Sequence, residues 1–304
     1  MGWLGGLQRV GRQINYYRRL VALEHTVFAL PFALSALVLA CPVGQWPSGA
    51  TVGWVVLGML GGRTYAMGLN RLADATIDAK NPRTAQREIP AGLVSRAEAV
   101  ALTLAALALL VLAAWHLPPL CLQLLPLAVA VLTLYSYTKR FTSLCHWVLG
   151  VALGGSAVAG WVAQTGSLEP PALWLGLAVC CWVSGFDVIY ACQDVAFDRA
   201  EGLFSVPARL GVATALRLSQ LSHALCVLCL GVLGYGFAVP ALGPGVGGGY
   251  WVVVAAMAAL LAYEHTLVRA DDLSRVNQAF FVVNGYASVG FFVAMVALHA
   301  LAAA

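Results

Sequence analysis

Long apolar runs separated by short polar links dominate the chain. A helix needs about 20 mainly apolar residues to cross a hydrocarbon core. Nine runs meet or approach that length, at roughly 20–40, 51–69, 98–115, 119–135, 144–163, 171–190, 213–237, 248–268 and 278–302. The pattern predicts an all-α integral membrane protein with nine transmembrane helices, forming a single polytopic domain over residues 1–304. The segment Gly2–Leu20 is polar and basic and lacks the features of a cleaved leader, so the first run is expected to persist as a span.

Composition points the same way. The chain is 61% hydrophobic and 10% charged, with a mean hydropathy of +0.83. A soluble domain carries about 25% charged residues, so this exterior is expected to face lipid. With nine spans the links alternate sides, and all 17 Lys and Arg residues fall on one side. Arg9, Arg12, Arg18 and Arg19 precede the first span, and the group from Arg63 to Arg96 ends or follows the second. Lys139 and Arg140 follow the fourth, Arg199, Arg209 and Arg217 surround the link after the sixth, and Arg269 and Arg275 follow the eighth. The positive-inside rule makes that side cytoplasmic, with the N-terminus on it. The net charge of +4 is thus a topology signal, and no nucleic-acid surface is expected.

Acidic residues segregate too, with only Glu169 of the 13 in an outer link. The positive-inside rule gives carboxylates no reason to do so, which points to function. The eight cysteines are scattered through apolar spans. Cys226 and Cys229 have no metal-binding partner nearby, and these two, like Cys180 and Cys181, read as small core residues.

The acidic residues concentrate where the second and sixth runs reach the basic side. In the first region, Asn70 and Asp74 lie within about 20° of Arg63 around a helix, and Asp78 about 60° round. In the second, the same geometry puts Asp187, Asp194 and Asp198 within about 40° of one another, with Tyr190 adjoining. Each is followed by a polar stretch ending in Pro-Ala, at Pro90 and Pro207, a hint of internal duplication. Clustered carboxylates near a membrane interior need a counter-charge. Magnesium suits them, because it accepts one or two carboxylates and completes its octahedron with water and substrate phosphates. Two such faces, each holding one ion, would grip a shared diphosphate.

Asn70-Arg71-x-x-Asp74-x-x-x-Asp78 and Asp187-x-x-Tyr190-x-x-x-Asp194-x-x-x-Asp198 resemble the two motifs of the UbiA superfamily of intramembrane prenyltransferases. The resemblance extends to Leu23–Phe32, Tyr135–Thr142 and Asp271–Asn277, and so covers nearly the whole chain. It implies a bacterial inner-membrane enzyme with nine helices around a central cavity, a cytoplasmic active site and a lateral opening for a lipid tail. It further implies that Asn70, Asp74, Asp78, Asp194 and Asp198 hold magnesium and diphosphate, while Arg63, Lys139 and Arg140 contact phosphate oxygens. Arg71, within the first motif, joins this substrate-binding group. Tyr135 and Tyr190 would line the pocket, with Asp187 deeper. One departure is visible: after Phe141-Thr142 the family often continues towards Pro-Gln, where this chain has Leu144-Cys145-His146. His146 reads as an interfacial or core histidine. Glu24-His25 and Glu264-His265 form similar pairs at helix ends; His265 reads as a polar anchor, while His25 is open between anchoring and an acceptor contact.

The implied reaction is magnesium-assisted transfer of a polyprenyl chain from its diphosphate to a hydroxylated aromatic carboxylate in quinone biosynthesis. The segments Asn81–Thr84, Arg87–Gly92, Gln193–Asp198 and Ser205–Arg209 look most like bacterial 4-hydroxybenzoate polyprenyltransferases and the related menaquinone enzyme of the futalosine route. The acceptor is then 4-hydroxybenzoate or dihydroxynaphthoate, and Arg63 or Arg18 could bind its carboxylate instead of phosphate. Alternatives are a heme- or tocopherol-type acceptor, a CDP-alcohol phosphotransferase, whose Asp-Gly and Ala-Arg pattern is not found, and a secondary transporter, whose site belongs near the midplane. The segments Ala79–Ala97 and Arg199–Gly211 are candidate lids or static connections.

Overall fold

The computed structural model describes residues 13, 15–21 and 26–304; Arg9, Arg12, Glu24 and His25 lie outside the described residues. Among the described residues, nine principal helices follow one another: α1 (Thr26–Leu39), α2 (Gly49–Asp78), α3 (Arg96–Trp115), α4 (Pro119–Thr138), α5 (Cys145–Thr165), α6 (Pro170–Ala191), α7 (Val212–Leu233), α8 (Gly247–Thr266) and α9 (Asn284–Ala302). Among the described residues, seven helices are long and apolar enough to cross a membrane. They are α3, α4, α5 and α8, together with α6, α7 and α9 as lengthened by the short turns that adjoin them.

The two exceptions to the nine-span expectation have different causes. In α1 the helix described is only 14 residues long. Helix α2 has 30 residues, about 45 Å at 1.5 Å per residue, but from its middle onward it carries Arg63, Asn70, Arg71, Asp74 and Asp78. It has the length to cross and to project a polar end beyond the apolar layer.

Local chemistry sets the helix ends. Ser48 caps α2 by accepting the Thr51 N–H, and Ser95 and Glu98 form a reciprocal capping box at α3. Helix α5 stops at Gly166, whose φ of +73° is a left-handed conformation that glycine adopts without a Cβ clash. Paired prolines then start α6 at Pro170 and Pro171.

Helix α6 packs against α5 and α7, α1 lies against α5 and α9, and α2 pairs with α3. The α5–α6 crossing is close: a Cβ on Gly154 would lie 2.4 Å from the Gly176 carbonyl oxygen. Small residues at a crossing let backbones approach in lipid, where packing rather than water exclusion drives association. Phe32, Trp182, Phe186, Tyr250, Phe280 and Phe291 form the centre of the core. Large apolar side chains such as Leu104, Leu127, Val252 and Tyr235 stay exposed on the outside, as a lipid-facing surface requires.

Helix α7 runs into a π-helical turn at Gly234–Ala238, and α9 is preceded by another at Gln278–Val283. The carbonyls of Ala279 and Phe280 accept from the Asn284 amide, which also donates to the fully buried Glu264. His265, read from the sequence as a polar anchor, instead faces His223 inside the bundle, with ring nitrogens 3.0 Å apart.

Candidate active site

Both acidic motifs end at the same end of the bundle, where three connections meet. The 79–95 link begins by turning back on α2: Thr84 Oγ donates to the Asp78 carbonyl. The 192–211 connection holds a 3₁₀ turn at Cys192–Asp194 and two short helices, Val195–Ala200 and Val206–Leu210. The link after α4 carries Lys139 and Arg140.

Asp74, Asp78, Asp194 and Asp198 each have their own Arg or Lys partner. Arg140 Nη2 lies 2.7 Å from Asp74 Oδ1, and Asn70 donates to the other oxygen of Asp74 at 3.1 Å. Arg87 Nη1 lies 2.7 and 2.8 Å from the two oxygens of Asp78. Arg83 grips Asp194 in a fork, Nε to Oδ1 at 2.9 Å and Nη2 to Oδ2 at 2.5 Å, and Asn81 adds a bond at 3.2 Å. Asp198 is fully buried. Lys139 Nζ stands 2.7 Å from its Oδ1, an ion pair without hydrogen-bond alignment, and the Ser205 hydroxyl donates to Oδ2 at 2.7 Å.

These pairs join segments far apart in sequence. Arg83 ties the first link to the second motif, and Lys80 meets Glu201 at 2.6 Å across the same gap. The Phe204 N–H donates to the Lys139 carbonyl at 2.7 Å. Both candidate lids are therefore bonded to the site, and half of Arg199–Gly211 is helical rather than loop. Burial lowers the pKa of Arg83, but the hydrogen bond and charge of Asp194 outweigh it and hold the guanidinium above its usual value.

Tyr135 is half-buried near the end of α4. Arg63 has a buried Nε with no hydrogen-bond partner among the described residues. Tyr190 stacks on Phe280 with ring centroids 4.1 Å apart, and the Arg83 guanidinium sits 5.5 Å from the Tyr190 ring centre. Phe28 and Phe186 continue this aromatic wall into the core.

Asp187, Asp194 and Asp198, which helix arithmetic places on one face, meet His146, Arg83 and Lys139 respectively, and a 3₁₀ turn over Cys192–Asp194 follows the first of them. Arg71 is buried and its Nε donates to the Leu20 carbonyl at 3.2 Å, joining the helical segment 15–20 rather than the four ion pairs. Arg83, Arg87 and Ser205 received no role from the sequence. They stand inside the quoted segments Asn81–Thr84, Arg87–Gly92 and Ser205–Arg209, which was their only signal. Arg18 is exposed.

The donor set suits a hard cation, being carboxylate and amide oxygen. Among the described residues, however, no three His, Cys, Asp or Glu side chains converge on one point. Each carboxylate is turned to its own Arg or Lys. A cavity of about 410 Å³ opens at the opposite end of the bundle, beside Pro42, Trp161, Phe237 and His299, and no charged side chain lines it.

A membrane-type helical bundle with two aspartate motifs gathered at one end defines an intramembrane transferase class, and the comparisons name it. Residues 29–300 match the UbiA prenyltransferase family, and the chain belongs to that family; it is a prenyltransferase. A 4-hydroxybenzoate octaprenyltransferase of Shewanella woodyi is 28% identical over 292 residues, 93% of this chain and 96% of the relative. One of Vibrio cholerae serotype O1 is 33% identical over 230 residues, covering 74% of this chain and 76% of that protein. Among solved structures, the apo form of a UbiA homolog from Aeropyrum pernix K1 superposes with a TM-score of 0.78 at 33% identity, covering 90% of this chain and 98% of the other. A UbiA homolog from Archaeoglobus fulgidus, bound to GPP and Mg2+, shares the fold with a TM-score of 0.74 at 17% identity, covering 93% and 99%.

Proposed function

We propose that the protein transfers a polyprenyl chain from its diphosphate to a hydroxylated aromatic carboxylate, 4-hydroxybenzoate or dihydroxynaphthoate, using magnesium. The carrying observation is the set of four carboxylate–cation pairs at one end of the bundle. Asn70, Asp74, Asp78, Asp194 and Asp198 are the residues that would hold magnesium, which when bound supplies charge to stabilise a departing diphosphate. Arg140, Arg87, Arg83 and Lys139 neutralise those carboxylates. When diphosphate arrives, the same cations bind its oxygens and stabilise the charge that develops as the allylic carbon–oxygen bond breaks. The electron pair leaves with the diphosphate. Tyr190, Phe280 and Phe28 supply π faces near the carbocation and exclude water. The ring attacks carbon and then loses the proton at the attacked position.

The unpartnered Nε of Arg63 supports giving it the acceptor carboxylate, since a buried donor without an acceptor is costly unless a ligand fills the role. Tyr135 and Asp187 line the same deeper layer. Helices α1 and α2 complete nine spans in this reading, with the aspartates on the cytoplasmic side by the distribution of Lys and Arg. The relatives named 4-hydroxybenzoate octaprenyltransferase support 4-hydroxybenzoate as an acceptor.

The test is a magnesium-dependent assay of the purified protein with a long-chain prenyl diphosphate, offering both acceptors in parallel and reading prenylated product by mass. Product with one acceptor names it. No product with either, from folded protein, rejects both acceptors.

A further inference from the structure

His146 stands in the first turn of α5, in the stretch where the chain departs from the family it resembles. Its ring is 3% exposed, and both nitrogens are engaged. Nδ1 lies 2.7 Å from Asp187 Oδ2 on α6, and the backbone N–H of Val206 donates to Nε2 at 3.3 Å. A backbone N–H can only donate, so Nε2 accepts and the ring hydrogen sits on Nδ1, aimed at Asp187.

Val206 follows Ser205, whose hydroxyl donates to the buried Asp198 and accepts the Ala208 N–H as the cap of Val206–Leu210. A second bond from the same turn of α5, Cys145 Sγ to the Phe204 carbonyl at 3.4 Å, fastens the same segment. One imidazole therefore bonds to Asp187, before the 3₁₀ turn, and to the Val206 amide beyond it, next to the Ser205 that donates to Asp198.

We propose that His146 is a positioning residue for the second acidic motif, orienting the Asp187 carboxylate through Nδ1–H and holding the Val206 amide, and with it the Ser205–Asp198 bond, through Nε2. Glutamine is the expected conservative replacement. Its amide can donate to Asp187 and accept from Val206, as the neutral ring does. Leucine fills similar volume and does neither. The kinetic consequence rests on the prenyl-transfer reading; the structural one does not.

The experiment compares wild type, His146→Gln and His146→Leu by hydrogen exchange over residues 203–210 and by prenyl transfer. His146→Leu should speed exchange at Val206 and lower kcat about 10- to 100-fold, the range expected for losing one hydrogen bond to a charged group. His146→Gln should keep both near wild type, a rescue that a purely space-filling histidine would not need. Unchanged exchange in His146→Leu, or equal damage in both variants, overturns the proposal. If His146→Leu does not fold, nitrogen NMR of wild type decides: a protonated Nδ1 with bare Nε2 supports it, and the reverse tautomer refutes it. If wild type proves unable to prenylate, the functional reading fails alone, because exchange and tautomer still report on His146.

Discussion

Asp198 is fully buried and faces Lys139 at 2.7 Å, while the Lys139 side chain is 38% exposed. Replacing Lys139 by Met leaves the carboxylate with Ser205 as its hydrogen-bond donor and no adjacent cation. Breaking a buried pair from one side typically costs about 3–5 kcal/mol, and the partial exposure of Lys139 puts the expected loss at the low end, about 3 kcal/mol. Asp198→Asn keeps an acceptor for Ser205 and frees Lys139 to reach water, so it should cost only about 1 kcal/mol. In the double variant neither charge is stranded. Its total should be about 1–2 kcal/mol, well below the sum of the singles, a coupling of about 2 kcal/mol. Unfolding of the four proteins in mixed micelles measures the cycle, and prenyl transfer is assayed alongside. Stability should recover in the double variant while turnover stays lost, since both groups also act on the substrate. A coupling below about 0.5 kcal/mol would refute the buried-pair reasoning, and recovered turnover would remove Asp198 and Lys139 from the chemistry.

Asp74→Ala and Asp194→Ala should each abolish turnover in folded protein; near-normal activity in either would defeat the metal-site assignment. Arg83→Gln should raise KM for the prenyl diphosphate by about tenfold or more, the value of a charge-assisted bidentate contact, and an unchanged KM would confine Arg83 to holding Asp194. Because the Arg83 pKa is raised in the folded protein, its stabilising effect is fully present below the unfolded-state arginine value and is lost only as pH rises through the higher folded value. Arg83 should therefore add no slope to stability between about pH 5 and 10, and a slope that Arg83→Gln removes would contradict this. Gly154→Leu should prevent α5 and α6 from meeting and cost more than about 3 kcal/mol in the same unfolding assay, whereas Cys226→Ala, a small core change, should cost about 1 kcal/mol and leave activity intact.

The helical frame was readable because apolar run length is a one-dimensional property. Runs centred on α3 to α9 correspond to helices within a few residues, and the acidic motifs stand out because charge is scarce. What hydropathy missed is where two signals compete: α2 reads as a short span because its polar half interrupts the apolar run, although the helix continues to Asp78. The partners of the aspartates were out of reach for another reason. Arg83 and Asp194 are 111 residues apart, and no local pattern predicts which of several basic residues meets which acid. The 3₁₀ turn at Cys192–Asp194 is too short to leave a periodicity. The inward turn of His265 likewise depends on His223 across a helix pair.

The one-to-one pairing at the mouth also bears on how reactants reach it. Four carboxylates beside four cations make a surface with strong local fields but little net monopole, and such fields cancel within roughly a Debye length, about 8 Å at physiological ionic strength. The mouth therefore exerts little long-range pull on either a free divalent cation or a free polyanion. Capture is governed by short-range exchange of partners, which favours a metal and diphosphate arriving together as a partly neutralised complex, and the association rate should respond only weakly to added salt.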